Sequence, residues 1–381
     1  MNFDSFSFHP QILAGIAAAG YITPTPIQEQ SIPPIIDGHD ILGLAQTGTG
    51  KTAAFVLPIL QRLYSGPRKK LRALILSPTR ELVEQTHTVI RSLGNKTGIR
   101  SITIYGGVSA APQINNLRAG AEIVVACPGR LLDLIQQKAI NLNTIDILVL
   151  DEADQMFDMG FLPDIKRILA VLPTRRQTLL FAATMPAPIR SFATDLLHNP
   201  VTVEIGIRAP VDTVSQAIYQ IEQDHKLDTL LSLLSKTDKG QTLVFTRTKH
   251  RAQKIALQLS KTGLAAKALQ GNLSQNRRQE VMDGFRSGQV QVMVATDIAA
   301  RGIDVSRITH VINFDMPNTV DAYTHRIGRT GRMAKLGTAL TFVTQEDLPM
   351  LRTIEHVLGH SIERRRVEPS SRVIQMGPSQ P

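Results

Sequence analysis

Short, unbroken apolar runs recur along this chain, separated by stretches with helical spacing, and that alternation constrains the fold more than any other feature. The runs in the first half are Ile41–Ala45, Ala73–Leu76, Ile102–Tyr105, Ile123–Ala126, Ile147–Leu150, Thr178–Ala182 and Val201–Ile205. In the second half they are Ala217–Ile221, Thr242–Thr246, Ala265–Ala268, Val290–Ala295, His310–Phe314 and Ala339–Val343. Runs this short, rich in Val, Ile and Leu and without polar alternation, suit strands covered on both faces. Helical spacing fills the intervals, as at Ala53–Leu63, Glu81–Leu93, Arg130–Gln137 and Ala252–Lys261. The expected class is therefore α/β, with parallel sheets carrying helices on both faces.

With 381 residues, the chain has room for two such domains at roughly 150 residues each. The rhythm breaks near Ile205–Asp212, where Gly206, Arg208 and Pro210 intervene. The expected domains are 1–207 and 208–365, followed by a short flexible tail over 366–381. From about Arg364, the run Arg364-Arg365-Arg366 reads as solvated charge leading into that tail.

Composition narrows the function. Hydrophobic residues make up 43% and charged residues 19%, the balance of a globular protein rather than a disordered one. No run approaches the ~18 apolar residues of a membrane span, so no membrane role is expected. Met1-Asn2-Phe3-Asp4 offers no basic region leading into an apolar core, so a cytoplasmic location is expected. Cys127 is the one cysteine, which excludes an internal disulfide. The formal charge of +10 is uneven: 18 Lys and Arg stand against 16 Asp and Glu over 1–207, and 24 against 16 over 208–381. A basic second half favours a polyanion. Aromatics are only 4%, with no Trp, which points to backbone contact rather than base stacking.

Ala45-Gln46-Thr47-Gly48-Thr49-Gly50-Lys51-Thr52 follows an apolar run and opens a helical stretch, the context of a P-loop with alanine in its first glycine position. Gly48 and Gly50 let the backbone curl until its N–H groups point at phosphate oxygens, aided by the helix N-terminus. Lys51 reaches the β- and γ-phosphates, and the Thr52 hydroxyl suits Mg²⁺. The partner acids end the run Ile147–Leu150, as Asp151-Glu152-Ala153-Asp154. Asp151 would hold Mg²⁺, and Glu152 would orient and deprotonate an attacking water. Together the two segments predict a nucleoside triphosphatase.

At Asp151-Glu152-Ala153-Asp154 the chain resembles the DEAD-box RNA helicases, and the resemblance runs from Phe3 to about Val343. It implies two tandem RecA-like domains, ATP and Mg²⁺ as cofactors, and RNA as partner. Gly20-Tyr21 with Pro24-Thr25-Pro26-Ile27-Gln28 is similar to the family's adenine-reading segment. By that likeness Gln28 makes a bidentate amide contact to adenine, Phe3 stacks on the base, and Tyr21 belongs to the same site. Pro78, Thr79 and Arg80, then Gly107, then Pro128, Gly129 and Arg130, are similar to first-domain RNA contacts. Thr246 and Arg247, Gln275 with Arg278, and Thr296 with Asp297 are similar to those of the second domain. Such groups hold phosphates and sugars without reading sequence. In His325-Arg326-Ile327-Gly328-Arg329-Thr330-Gly331-Arg332, the resemblance makes Arg329 and Arg332 fingers for the γ-phosphate, while Asp304 holds the ribose. Fingers on one domain and Lys51 on the other imply that hydrolysis requires closure.

Asp154, Ala182, Thr184 and His325 are the residues expected to couple the nucleotide to the second domain. Here the chain departs from the family: Ala182-Ala183-Thr184 has alanine in place of the usual serine, so a looser coupling is expected. Cys127 and Gln270 replace a customary threonine and histidine. The chain resembles the minimal bacterial RhlE-like group, expected to act as a monomer in which ATP and RNA together drive closure and local unwinding of short duplexes or remodelling of RNA–protein complexes. Protein partners would come from ribosome assembly or RNA decay. The alternative is an ATP-gated RNA clamp or assembly protein with weak unwinding, which Ala182 would suit.

Overall fold

A computed structural model describes residues 2–46, 48–205, 214–236, 240–300, 307–331 and 337–366. The chain divides into two compact units, Met1–Ile207 and Arg208–Pro381. The first contains β1 (Ile41–Leu44), β2 (Ala73–Leu76), β3 (Ser101–Ile104), β4 (Ile123–Ala126), β5 (Ile147–Leu150), β6 (Gln177–Ala182) and β7 (Val201–Glu204). They form one parallel sheet in the order β3-β4-β2-β5-β6-β1-β7.

The absence of polar alternation has a direct cause: both faces are buried. Ile147 and Val149 of β5 enter one core with Phe55, Ile59, Val83 and Ile90, while Leu148 and Leu150 enter the opposite core with Leu131, Ile165 and Ile168. Helices Pro10–Ala18, Pro26–Ile36, Lys51–Tyr64 and Arg80–Leu93 cover the first face. Helices Pro128–Gln136, Leu162–Leu169 and Ala187–Leu196 cover the second. The edge away from the candidate site is tied by polar groups. Asp40 accepts from the Thr178 and His198 N–H groups at 2.7 and 2.8 Å. Gln177 donates to the Ile35 and His39 carbonyls and accepts from Arg62.

The second unit holds β8 (Val214–Gln220), β9 (Gln241–Phe245), β10 (Ala266–Leu269), β11 (Val292–Ala295), β12 (Ile308–Asn313), β13 (Gly337–Val343) and β14 (Glu363–Arg365). Their order is β10-β11-β9-β12-β13-β8-β14, again parallel, and it repeats the permutation of the first sheet strand for strand.

One sequence expectation is corrected. Arg364 and Arg365 do not begin a tail; they lie in β14, paired with β8. Arg364 forks onto Glu355, with Nη1–Oε1 at 2.5 Å and Nη2–Oε2 at 2.9 Å, and this holds the Glu355 carboxyl below its usual range. Arg365 donates to Glu363 in the same manner. A three-residue edge strand is covered on few sides and tolerates charge, so it carries no apolar period to read. The remainder of the expected tail, residues 367–381, lies outside the described residues.

Phe342 is fully buried, with ring contacts to Tyr219 and Phe314 at centroid distances of 6.3 and 5.7 Å. Phe342→Ala should cost about 3–5 kcal/mol. Urea unfolding should show a lower midpoint for the second unit, and an unchanged midpoint would contradict this packing.

Candidate functional site

In a parallel sheet all strands end on the same side, so loops from neighbouring strands meet there. In the first unit, β1 runs into the glycine loop, β5 into the three acids, and β6 into Ala183 and Thr184. Because β5, β6 and β1 are consecutive in the sheet, these loops share one end. Gly48 and Gly50 take φ values of 88° and 96°, left-handed backbone that favours glycine. A Cβ at Gly50 would also approach Gln28 Nε2 to 2.5 Å. Lys51 opens the helix Lys51–Tyr64, and its Nζ donates to the Ala45 carbonyl at 2.7 Å. The same Nζ lies 3.4 Å from Glu152 Oε1, with both side chains about 95% buried.

Gln28 braces the glycine loop. Its Nε2 donates to the Gly50 carbonyl at 3.1 Å, and its Oε1 accepts from the Thr25 N–H at 3.0 Å. Phe3 is a core residue, 4% exposed, with its ring 6.1 Å from those of Phe6 and Tyr21. Stacking on a base has to use that small accessible part or move the ring. Thr49 closes the loop through its hydroxyl onto the Gln46 carbonyl, Thr52 is half-buried, and Thr47 lies outside the described residues.

Asp151, Glu152 and Asp154 are all buried. Burial, followed by the Glu152 charge, pushes the Asp151 carboxyl up to about 7, against the pull of Lys51. Glu152 adopts φ 54° and ψ 50°, a left-handed backbone costing a non-glycine residue about 1–3 kcal/mol. Strain of this kind persists where the surroundings hold it, and it turns the chain sharply between β5 and the helix Ala153–Asp158. Gln155 Nε2 donates to Glu152 Oε2 at 2.6 Å, a contact that sequence reasoning missed because Gln155 lies one residue outside the acidic segment.

Asp154 is the junction of this end. Its Oδ2 accepts from the Ala183 N–H at 3.0 Å, the Thr184 N–H at 2.9 Å and the Thr184 hydroxyl at 3.2 Å. Its Oδ1 accepts from the Gln155 N–H at 3.1 Å. Within the first unit the acidic loop is joined to the β6 exit by residues 183 and 184. Ala182 packs in the core, and its carbonyl accepts from the Ala45 N–H at 3.1 Å.

Among the described residues, no group of three or more His, Cys, Asp or Glu is arranged to hold a metal ion by itself. Mg²⁺ keeps waters and uses one or two protein oxygens together with phosphate. A threonine hydroxyl and a buried carboxylate in negative surroundings fit it.

The neighbouring strands β3, β4 and β2 end in the residues compared above with RNA contacts. The Arg80 guanidinium lies 4.3 Å above the Tyr105 ring. Arg130 Nη2 donates to the Val108 carbonyl at 3.1 Å, beside the turn at Gly107. Thr79 is engaged as a helix cap, accepting from the Leu82 N–H, while Pro128 and Gly129 open the helix Pro128–Gln136. The two halves of the edge touch where β2 meets β5: the Asp151 N–H donates to the Leu76 carbonyl at 2.9 Å.

In the second unit, β10, β11 and β9 occupy the corresponding places. Thr246 is fully buried and Arg247 is largely exposed. Arg278 Nη2 donates to the Ala299 carbonyl at 2.8 Å. Arg326 forks onto both oxygens of the Asp297 carboxylate at 2.6 and 2.8 Å. Arg326 also donates to Asn313 Oδ1 and the Asp315 carbonyl, fixing the segment that leads to Arg329. Arg329 is buried, Thr296 and His325 are half-buried, and Gln275 opens the helix Gln275–Ser287. Asp304, Arg332 and the Gln275 side chain lie outside the described residues.

The DEAD/DEAH box helicase profile matches residues 25–192, and that of the helicase conserved C-terminal domain matches 225–334. The chain is 40% identical over 367 residues to the DEAD-box ATP-dependent RNA helicase CshA of Bacillus subtilis (strain 168), covering 96% of this chain and 74% of that protein. To CshA of Streptococcus pneumoniae serotype 4 it is 42% identical over 358 residues, covering 94% and 68%. Among solved structures it is similar to S. cerevisiae Dbp5 bound to RNA and ADP BeF3, with TM-score 0.88, 32% identity and 96% of each chain covered.

Two outcomes follow. Ala182→Ser should raise unwinding per ATP hydrolysed if alanine at 182 loosens coupling; strand displacement measured beside ATPase checks it, and no gain in that ratio would remove the role of residue 182. Asp151 holds its proton in the folded state at pH values where the unfolded chain has lost it, so its contribution to stability falls as pH rises from about 4 to about 7. Asp151→Asn should therefore stabilise the metal-free protein at pH 8 by about 1–3 kcal/mol and much less at pH 5. Urea midpoints at the two pH values report the difference.

Proposed function

The chain belongs to the DEAD-box family of ATP-dependent RNA helicases, and we propose that it uses RNA-stimulated ATP hydrolysis to open short RNA duplexes or remodel RNA–protein complexes. The observation that carries this reading is the division of one sheet edge. Phosphate-binding loop and acids leave β1, β5 and β6, Arg80 and Arg130 follow β2 and β4, and the two halves join at Leu76 and Asp151. The RNA and ADP BeF3 bound by the similar Dbp5 structure support RNA and a nucleotide as this chain's ligands.

In this reading the glycine loop N–H groups and Lys51 cradle the triphosphate. Glu152 accepts a proton from the attacking water, whose oxygen forms the new bond to the γ-phosphorus as the bond to the β–γ bridging oxygen breaks, leaving ADP and phosphate. Mg²⁺, held by Thr52 and Asp151, would neutralise charge on the β- and γ-phosphate oxygens when bound. Asp154 keeps the loop after β6 in step with the acids. Units 1–207 and 208–365 act as the two helicase domains, and closure brings Arg329 and Arg332 to the γ-phosphate while Asp304 holds the ribose. RNA is gripped along its backbone without sequence preference. We place the protein in the cytoplasm as a monomer. The alternative is an ATP-gated RNA clamp or assembly protein with weak unwinding, which Ala182 would suit.

Arg329→Ala should lower RNA-stimulated kcat by about 10³-fold or more while leaving nucleotide binding to the first unit intact. A steady-state ATPase assay with saturating RNA decides it, and full stimulation in the variant would remove the finger role.

A further inference from the structure

We infer that Gln155 is a positioning residue for Glu152, holding one carboxylate oxygen and so setting the direction in which the carboxylate meets the attacking water. This rests on reading Glu152 as the general base. Gln155 is 2% exposed and lies in the helix that begins just after Glu152. Its Nε2 donates to Glu152 Oε2 at 2.6 Å, whereas Lys51 Nζ stands 3.4 Å from Oε1. The backbone N–H of Gln155 meanwhile donates to Asp154 Oδ1, so one residue touches both the base and the junction acid.

Three features make this more than packing. First, the carbonyl end of the Gln155 amide is buried and accepts no hydrogen bond among the described residues. An unmet buried acceptor is a cost that a leucine or methionine of similar volume would avoid, so the amide is explained by its other end. Second, Lys51 is shared. Once its ammonium is committed to the triphosphate, Gln155 continues to hold Glu152. Third, the donor is neutral. An amide N–H orients a carboxylate without placing a second cation beside it, whereas a cation there would draw off the negative charge a base needs. Glu152 stands in left-handed backbone, off the helical track, where a side-chain partner is the available means of fixing its direction.

The experiment compares Gln155→Leu and Gln155→Met, each alone and combined with Glu152→Gln, in the full chain with ATP, Mg²⁺ and saturating RNA, using active-site-normalised rates and a fluorescent ADP analogue for binding. The expected result is a kcat roughly tenfold lower for either Gln155 variant, with KM for ATP and analogue affinity unchanged. In the Glu152→Gln background the same substitutions should produce no further loss, because a residue acting through Glu152 has nothing left to position. Either variant suffices if the other folds poorly. A kcat within twofold of the parent, or an equal fold-loss in both backgrounds, overturns the role of Gln155. Full activity of Glu152→Gln alone would instead overturn the assignment of the base.

Discussion

Three carboxylates and one ammonium share a dry space where β1, β5 and β6 end, and the rest of the first unit is arranged around that imbalance. Unscreened negative charge in a buried site is expensive unless N–H and O–H donors are aimed at it. Asp154 receives four such donors, Glu152 has Gln155 and Lys51, and Asp151 responds by holding its proton more tightly. A site built this way is ready for cations and for phosphate groups that bring Mg²⁺ with them.

The same topology has been used twice for different ends. In the second unit, Lys226 opens the helix after β8 as Lys51 opens the helix after β1, and Asp315 follows β12 much as Asp151 follows β5. The two are buried with Lys226 Nζ 3.9 Å from Asp315 Oδ1. The connection between β8 and that helix, Ile221 to His225, contains no glycine, unlike the loop that carries Gly48 and Gly50. Arg247 and Arg251 also bind the Asp315 carboxylate, through a backbone N–H at 2.8 Å and a guanidinium at 2.6 Å. The ion pair lies beside the β9 exit, at the Arg247 N–H.

Polar pairs inside the second unit link its candidate contacts to one another. Arg326 joins Asp297, at the exit of β11, to the segment bearing Arg329. In the first unit the Leu76–Asp151 bond plays the corresponding part, across two strands that are neighbours in the sheet.

Much of this was legible in the linear order of residues. Apolar runs covered on both faces announce parallel strands, and β2, β4 and β5 fall on the residues that the runs mark. Glycines before a Lys-Thr pair, and acids closing an apolar run, announce phosphate chemistry because few other uses tolerate those residues there. β14 was hidden, since an edge strand of Glu and Arg has no apolar signature. Pairings were hidden as well: that Asp297 is paired with Arg326, that Gln28 braces Gly50, that Asp154 reaches residues 183 and 184, and that Gln155 holds Glu152. Sequence by itself determined which chemical groups the chain carries and the strand–helix rhythm that would bury them, because those depend on local pattern. Only the tertiary structure decided which donor meets which acceptor, because sheet order brings together residues separated by tens of positions, and a hydrogen bond depends on tenths of an ångström.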